Sequence, residues 1–271
     1  MIALVAMALQ LGAVAPRGAP AKAAAAAPAH ARPIVIVDAG HGGPDNGMTG
    51  PIGRGAKIYE KNITLAVAKR LGAALTRRGV EVVYTRTTDT LIDLSDRGQI
   101  ANRAGGALFI SVHVNAANPT WRDPGSTRGF ETYFLSDART DDARRVEDME
   151  NESVRFEAVK DLPREDPLSF ILSDMKQNEH LRESNELAAA IQHSLSLVHP
   201  SPNRGVRQAG FRVLVTAFMP SVLVEIGFGT NATDAAFITD PTRQDAIAKA
   251  IADAAMTYLA GYELRLKGSS Q

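Results

Sequence analysis

The chain of 271 residues contains no cysteine. Disulfides and thiolate metal sites are therefore excluded, and any metal must be held by histidine and carboxylate. The same absence fits an oxidising compartment. Neither sign of charge is in excess: Lys+Arg and Asp+Glu are each 30, a formal net charge of +0. Such a balance carries no electrostatic footprint for nucleic acid, and no nucleic-acid partner is expected. Sustained heptads, internal repeats and a contiguous H-E-x-x-H signature are missing as well. The apolar run Met1 to Val14, interrupted by Gln10, is too short to span a bilayer, so no stable span in the mature chain is expected. Small residues follow it, with Ala-x-Ala options from Ala19 to Ala27, and Ala and Pro dominate until Pro33. Residues 1–31 read as a secretory signal and linker, although no Lys or Arg precedes the apolar run. A periplasmic or otherwise secreted location is the expectation.

What is present is a sizeable core, since 45% of the residues are hydrophobic. Ala107 to Val112 (A-L-F-I-S-V), led in by Gly105 and Gly106, reads as a buried strand of a parallel sheet. His113 follows at its C-terminal end, where the reactive crevice of open α/β sheets lies. Pro33 to Val37 is a second such strand, running into Asp38-Ala-Gly-His41-Gly-Gly. After a loop at 43–57, Ile63, Val67, Leu71 and Leu75 predict a helix buried on one side, with Glu60 at its head and Arg77-Arg78-Gly79 closing it. Val80 to Tyr84 reads as a strand, Leu94 to Ala104 as a helix and Gly129 to Leu135 as a strand.

Residues 136–183 break this rhythm and read as a charged insertion. Within it, Asp141 to Val159 has helical composition, while Pro163 to Asp174 reads as a loop because of its prolines. The alternation resumes with a helix at Asn185 to Leu197, a strand near Phe211 to Val215 and another at Ser221 to Ile226. Asp240-Pro-Thr-Arg opens the last helix, whose apolar side carries Ile247, Ile251, Ala255, Tyr258 and Leu259. The fold expected is α/β: a mostly parallel or mixed central sheet with helices on both faces and one helical insertion. Its bounds are 32–265, with a short tail at 266–271.

Three candidate ligands stand at element edges that can share one crevice: His41, Glu60 and His113. Two histidines and one glutamate make a catalytic zinc set with a fourth position open to water. A hydrolase of this kind needs a base, and Glu225 fits, because a carboxylate after the apolar run of a core strand is costly without a partner. Each residue also has a plainer reading. Glu60 suits a helix N-terminus by its charge, and Glu225 could pair with Arg207 or Arg212. His30, His180, His193 and His199 occupy linker, insertion or helix contexts and read as structural or solvated.

Four motifs in order, D-A-G-H41-G-G, E60-K-N-I-T-L, S-V-H113-V-N-A and L-V-E225-I-G-F-G-T-N231, resemble the zinc-dependent N-acetylmuramoyl-L-alanine amidases of bacterial cell walls. The likeness runs from about Pro33 to the C-terminal helix. V-E-I-G-F-G-T-N stands where A-F-I-S-N often follows the glutamate, and no N-terminal wall-binding domain is expected. The resemblance implies Zn2+ on His41, Glu60 and His113, Glu225 as catalytic carboxylate and peptidoglycan as substrate. It also implies that the insertion is a helix covering the cleft until an activator protein displaces it, as in division amidases. Val146, Met149, Ser153 and Phe156 fall on one side of that helix, with Glu150 and Glu157 at its margin. Glu150, mid-helix in M-E-N-E, is the carboxylate expected to take the open metal position. Asn115 and Gln208 are candidate substrate contacts by position. The rival functions are a zinc peptidase of related fold and a non-catalytic peptidoglycan-binding module.

Overall fold

The computed structural model describes residues 32–53, 56–157 and 167–268. The signal-like segment 1–31 lies outside the described residues, as do 158–159 of the helix expected in the insertion and 163–166 of the loop expected after it.

The strands are β1 (Ile34–Ala39), β2 (Thr49–Gly50), β3 (Ile58–Tyr59), β4 (Glu81–Tyr84), β5 (Leu108–Asn115), β6 (Phe130–Leu135), β7 (Asn203–Ala209) and β8 (Ser221–Phe228). The helices are α1 (Glu60–Thr76), α2 (Leu94–Ala104), α3 (Asp141–Asn151), α4 (Pro167–Ser196), α5 (Arg212–Val215), α6 (Ala232–Thr239) and α7 (Pro241–Gly268). Six strands form one sheet in the order β4-β1-β5-β8-β6-β7, and β2 pairs with β3 in a small ribbon beside it. All pairings in the large sheet are parallel except β6 with β8, so the sheet is mixed.

Alternation along the strands sorts side chains onto two covered faces. Val35, Val37, Leu108, Ile110, Val112, Val222 and Val224 join the buried sides of α1, α4 and α7 in one core. Ile36, Phe109, Tyr133 and Leu223 point the other way and meet Leu94 and Ala101 of α2, Ala143 and Val146 of α3, and Val213 and Leu214 of α5. The spacing that predicts α1 is borne out, since Ile63, Val67, Leu71 and Leu75 are all buried. So is that of α7, where Ile247, Ile251, Ala255, Tyr258 and Leu259 are buried.

Five expectations are corrected. Residues 167–174 are helical rather than a loop, because Pro167 opens α4 at a position where its missing N–H is no loss. α4 then continues to Ser196, so the insertion has no break at 183. Phe211 to Val215 is not a strand: Arg212–Val215 makes a single helical turn, and the strand is the polar stretch Asn203–Ala209 on the sheet edge. A short apolar run does not distinguish strand from helical turn, and an edge strand with one free side needs no apolar run. His113 lies inside β5 rather than after it, while Glu225 lies inside β8 as the strand expected at Ser221 to Ile226 implies. α7 also extends to Gly268, into the stretch expected as a tail.

Candidate active site

Residues on the second face of the sheet, near the C-terminal ends of β1, β5 and β8, build the site. Alternation along β5 puts Ser111, His113 and Asn115 on the face opposite Val112 and Val114. β8 lies beside it with Glu225 in register with His113. The chain leaving β1 turns sharply at His41, which adopts φ 61°. That left-handed conformation is uncommon for a residue with a side chain and marks a strained, over-determined position.

Two buried arginines hold this turn. Arg97 of α2 donates to Asp38 Oδ1 at 2.9 Å, to Ala39 O at 2.7 Å and to His41 O at 3.0 Å. Arg86 donates to Ala39 O at 2.9 Å and Gly40 O at 2.7 Å. Asp38 also accepts from Thr85 at 2.5 Å and Ser111 at 2.6 Å. Burial works against ionisation of Asp38, but Arg97 and the two hydroxyls prevail and lower its pKa. Two glycines make room: a Cβ on Gly40 would lie 2.5 Å from the His113 ring, and one on Gly47 would lie 2.5 Å from Glu60 Oε2.

Glu60 begins α1 and reaches over the strand ends. Its Oε1 accepts from Val114 N–H at 2.7 Å and its Oε2 from Met48 N–H at 2.7 Å, which fixes the carboxylate. Oε1 lies 3.1 Å from His41 Nε2 and 3.1 Å from His113 Nδ1. A fourth group completes the set. Glu150 of α3 places Oε2 3.0 Å from His41 Nε2 and 2.7 Å from His113 Nδ1. All four residues are buried, and their donor atoms lie within 4.8 Å of one another.

This arrangement fits a metal ion. Tetrahedral ligands at zinc-like bond lengths of ~2.0–2.1 Å sit about 3.3 Å apart, close to the separations here. His41 Nδ1 is engaged by Asp45 Oδ2 at 2.7 Å, which directs Nε2 into the cluster. His41 Nε2 and both Glu150 oxygens make no hydrogen bond of acceptable geometry among the described residues, although they are buried. Burial disfavours the charged form of both histidines, yet the neighbouring carboxylates overcome it, raising His41 well above the usual range and His113 to about 9. Glu60 is lowered despite its burial, chiefly by His41.

Glu225 is fully buried, and neither of its oxygens has a hydrogen-bond partner among the described residues. Burial, and then the Glu150, Glu60 and Glu131 carboxylates, push its pKa well above the usual range. Pairing of Glu225 with Arg207 is not seen: Arg207 Nε lies 2.8 Å from Glu131 Oε2 instead.

The other sequence candidates separate. Asn115 joins the site floor, its Nδ2 donating to Glu131 Oε1 at 2.7 Å. Gln208 does not: it donates to Asp137 O at 2.8 Å and lines a different cavity, with Arg139 and Thr140. Glu157, placed beside Glu150 by helical spacing, accepts from Leu94 N–H at the start of α2. Glu150 lies not at the margin but in the inward stripe, with Ala143, Val146 and Ser153.

Sequence reasoning missed Asp45, Arg86, Arg97 and Glu131. Arg97 had a legible signal, a charged residue on the inward stripe of α2 beside Leu94 and Ala101. Glu131 had another, the alternation of β6 that gives it the same face as Tyr133.

Fold and site together define the class: a mixed-sheet α/β enzyme with a buried histidine–carboxylate cluster able to hold a metal ion at the strand ends. A family model described as N-acetylmuramoyl-L-alanine amidase matches residues 35–257, and the chain belongs to that family. Its enzyme class follows, an amidase acting on peptidoglycan. The N-acetylmuramoyl-L-alanine amidase AmiA of Salmonella typhimurium is 34% identical over 228 residues, 83% of this chain and 75% of that protein. AmiA of Escherichia coli is 34% identical over 229 residues, with the same coverage. Among solved structures, the N-acetylmuramoyl-L-alanine amidase of Clostridium difficile 630 superposes with a TM-score of 0.62 at 26% identity, covering 84% of this chain and 97% of that one. AmiC2 of Nostoc punctiforme gives 0.60 at 27% identity, covering 84% and 97%.

Proposed function

We propose that this chain is an exported zinc amidase held inactive by α3. In this reading His41, Glu60 and His113 hold Zn2+, and the bond cut joins the lactyl group of N-acetylmuramic acid to the L-alanine of the stem peptide. Zinc at these donors supplies Lewis acidity, polarising the scissile carbonyl and bringing the pKa of a water toward ~7. Glu225 takes the proton of the attacking water and delivers it to the nitrogen of the departing L-alanine. Its raised proton affinity suits the second role, and withdrawal of Glu150 removes the largest carboxylate contribution to that rise. Glu60 is kept from rotating by the Val114 and Met48 amides, and Asp45 keeps the imidazole of His41 aligned.

The observation that carries the reading is a pair of buried carboxylates at the two histidines: Glu150, whose Oε2 lies 3.0 Å from His41 and 2.7 Å from His113, and Glu225, in register with His113 and without a hydrogen-bond partner among the described residues. Glu150 then stands where the carbonyl oxygen of a substrate would enter. The cavity left over the cluster is about 90 Å³ and is lined in part by Met149, Glu150 and Ser153, whereas ligand sites commonly span ~300–1,000 Å³. α3 and the turn after it are pinned at several points: Ser153 donates to Asp45 at 2.7 Å, Gly210 N–H to Glu147 at 2.9 Å and Arg212 N–H to Asn151 at 2.8 Å. Such a closed site calls for an activator protein that carries the helix away. The apolar leader and the absence of cysteine support export. No helix among the described residues is long and apolar enough to cross a membrane.

The test is metal analysis of the purified chain together with digestion of intact sacculi, comparing wild type with Glu150→Ala. Zinc at about one per chain, and release of L-alanine-terminated peptides that increases in the variant, is the expected result. Cleavage of a peptide bond instead of the muramoyl amide would make the chain a peptidase and overturn the reading.

A further inference from the structure

Besides Glu150 at the metal cluster, and the bond from Arg145 to Ala116 O at 2.8 Å, helix α3 makes a second carboxylate contact at the cleft. Eight residues before Glu150, Asp142 Oδ2 accepts from Arg204 Nη2 at 2.8 Å. Arg204 belongs to β7 and also donates through Nε to Glu131 Oε2 at 3.1 Å. Arg207 approaches the same oxygen at 2.8 Å. The other oxygen of Glu131 is taken by Asn115 at 2.7 Å and the Tyr133 hydroxyl at 2.9 Å. One carboxylate therefore faces two guanidiniums with its remaining capacity spent, and Asp142 supplies the second negative charge. With α3 in place the Arg204 side chain is 23% exposed beside the cleft, and displacement of α3 leaves it Glu131 as a shared acceptor.

The separation of the two points can be obtained in two ways. Along α3, eight residues at ~1.5 Å rise span about 12 Å. Across the sheet, β5 with His113 and β7 with Arg204 are separated by β8 and β6. Three strand spacings of ~4.8 Å make about 14 Å. The agreement means that α3 lies across the strands and follows the floor of the cleft from metal cluster to Arg204. An extended peptide in the same path advances ~3.3–3.6 Å per residue, so the same span holds three to four residues.

We propose that Arg204 is the receptor for a carboxylate of the peptide substrate, three to four residues from the scissile amide. Asp142 occupies it in the closed state, so α3 imitates the substrate at both ends. This rests on the reading of the cleft as a muropeptide site. An arginine fork suits a carboxylate and gives it direction as well as charge. Displacement of the helix and capture of substrate then use the same guanidinium, which ties opening to the presence of an acidic peptide.

The test uses the full zinc-loaded chain carrying Glu150→Ala, with two synthetic substrates. One is N-acetylmuramoyl-tetrapeptide; the other is the same compound with every peptide carboxylate converted to the amide. The acidic compound is expected to show a KM about tenfold or more below that of its amide, the scale of one charge-assisted contact, with similar kcat. Adding Arg204→Gln is expected to erase the difference by raising KM for the acidic compound alone, and Arg204→Lys to restore part of it. Calorimetric binding of both compounds to the Glu150→Ala/Glu225→Gln chain gives the same comparison without turnover. Equal KM and equal binding for the two compounds would overturn the subsite and leave the amidase reading standing. Faster cleavage of both on Arg204→Gln, with their ratio unchanged, would reduce Arg204 to a holder of the helix. Failure to cleave the muramoyl amide of either would remove the amidase reading and the subsite with it.

Discussion

Glu225 and Glu131 face each other in register across β8 and β6, both fully buried on the same face of the sheet, in opposite chemical surroundings. Glu131 is met by donors from Asn115, Tyr133, Arg204 and Arg207, while Glu225 has no hydrogen-bond partner among the described residues. Paired carboxylates whose environments differ in this way divide their roles, one structural and one free to carry a proton.

Glu225→Gln is therefore expected to keep the fold and the metal and to lose hydrolysis by ~10²–10⁴-fold, the range of lost general acid–base help. Muropeptide digestion beside metal analysis checks it. Normal turnover by the variant would make Glu225 a structural group.

His41→Ala and His113→Ala are each expected to lose metal and activity together. Asp45→Ala removes the partner of His41 Nδ1 and should weaken metal affinity by about 10–100-fold without removing a ligand. Competition with a chelator of known affinity measures all three. Full metal retention by both alanine variants of the histidines would rule out the ligand set.

Glu150→Ala should raise basal activity by about tenfold or more, the factor that ~1.4 kcal/mol of lost blockade represents. Ser153→Ala should act in the same direction more weakly, since it cuts one of several contacts that pin the insertion. Rates measured without any added partner decide the matter. An unchanged rate in a folded, zinc-loaded Glu150→Ala chain would mean that α3 is no barrier.

The Asp38–Arg97 pair bears on stability and its dependence on pH. The carboxyl of Asp38 is held below its ordinary value of 3.8. Its contribution is therefore complete above about pH 4 and is lost as pH falls through the lowered native value. Asp38→Asn should destabilise the fold by about 3–5 kcal/mol near neutrality, because Arg97 is left buried and uncompensated. The variant should also lack part of the acid-side loss seen in the wild type. Urea unfolding at a series of pH values measures both, and parallel curves for the two proteins would contradict this role.

Residues 1–31 are expected to carry export. Fused to a reporter that works only outside the cytoplasm, they should give signal in a bacterial host. A silent reporter would count against secretion.

Regular elements whose apolar residues recur at a fixed period were legible in the sequence. α1 and α7 show their buried stripes, β1, β5 and β8 their continuous apolar runs, because burial on one or both faces is a local pattern repeated along the chain. His41 and Glu60 at element edges were legible for the same reason, whereas His113 and Glu225 lie within their strands and meet through the sheet register. Tertiary structure alone decided the rest. β7 carries no apolar run because it has a neighbour on one side only, and Arg212–Val215 takes a helical turn from its packing against the second face. Glu150 was expected at the open metal position, but no spacing along the sequence encodes the crossing of the sheet by α3 that brings it, 37 residues beyond His113, to 2.7 Å from that ring. Arg204 acquires its place opposite Asp142 in the same way, from the order in which the strands assemble.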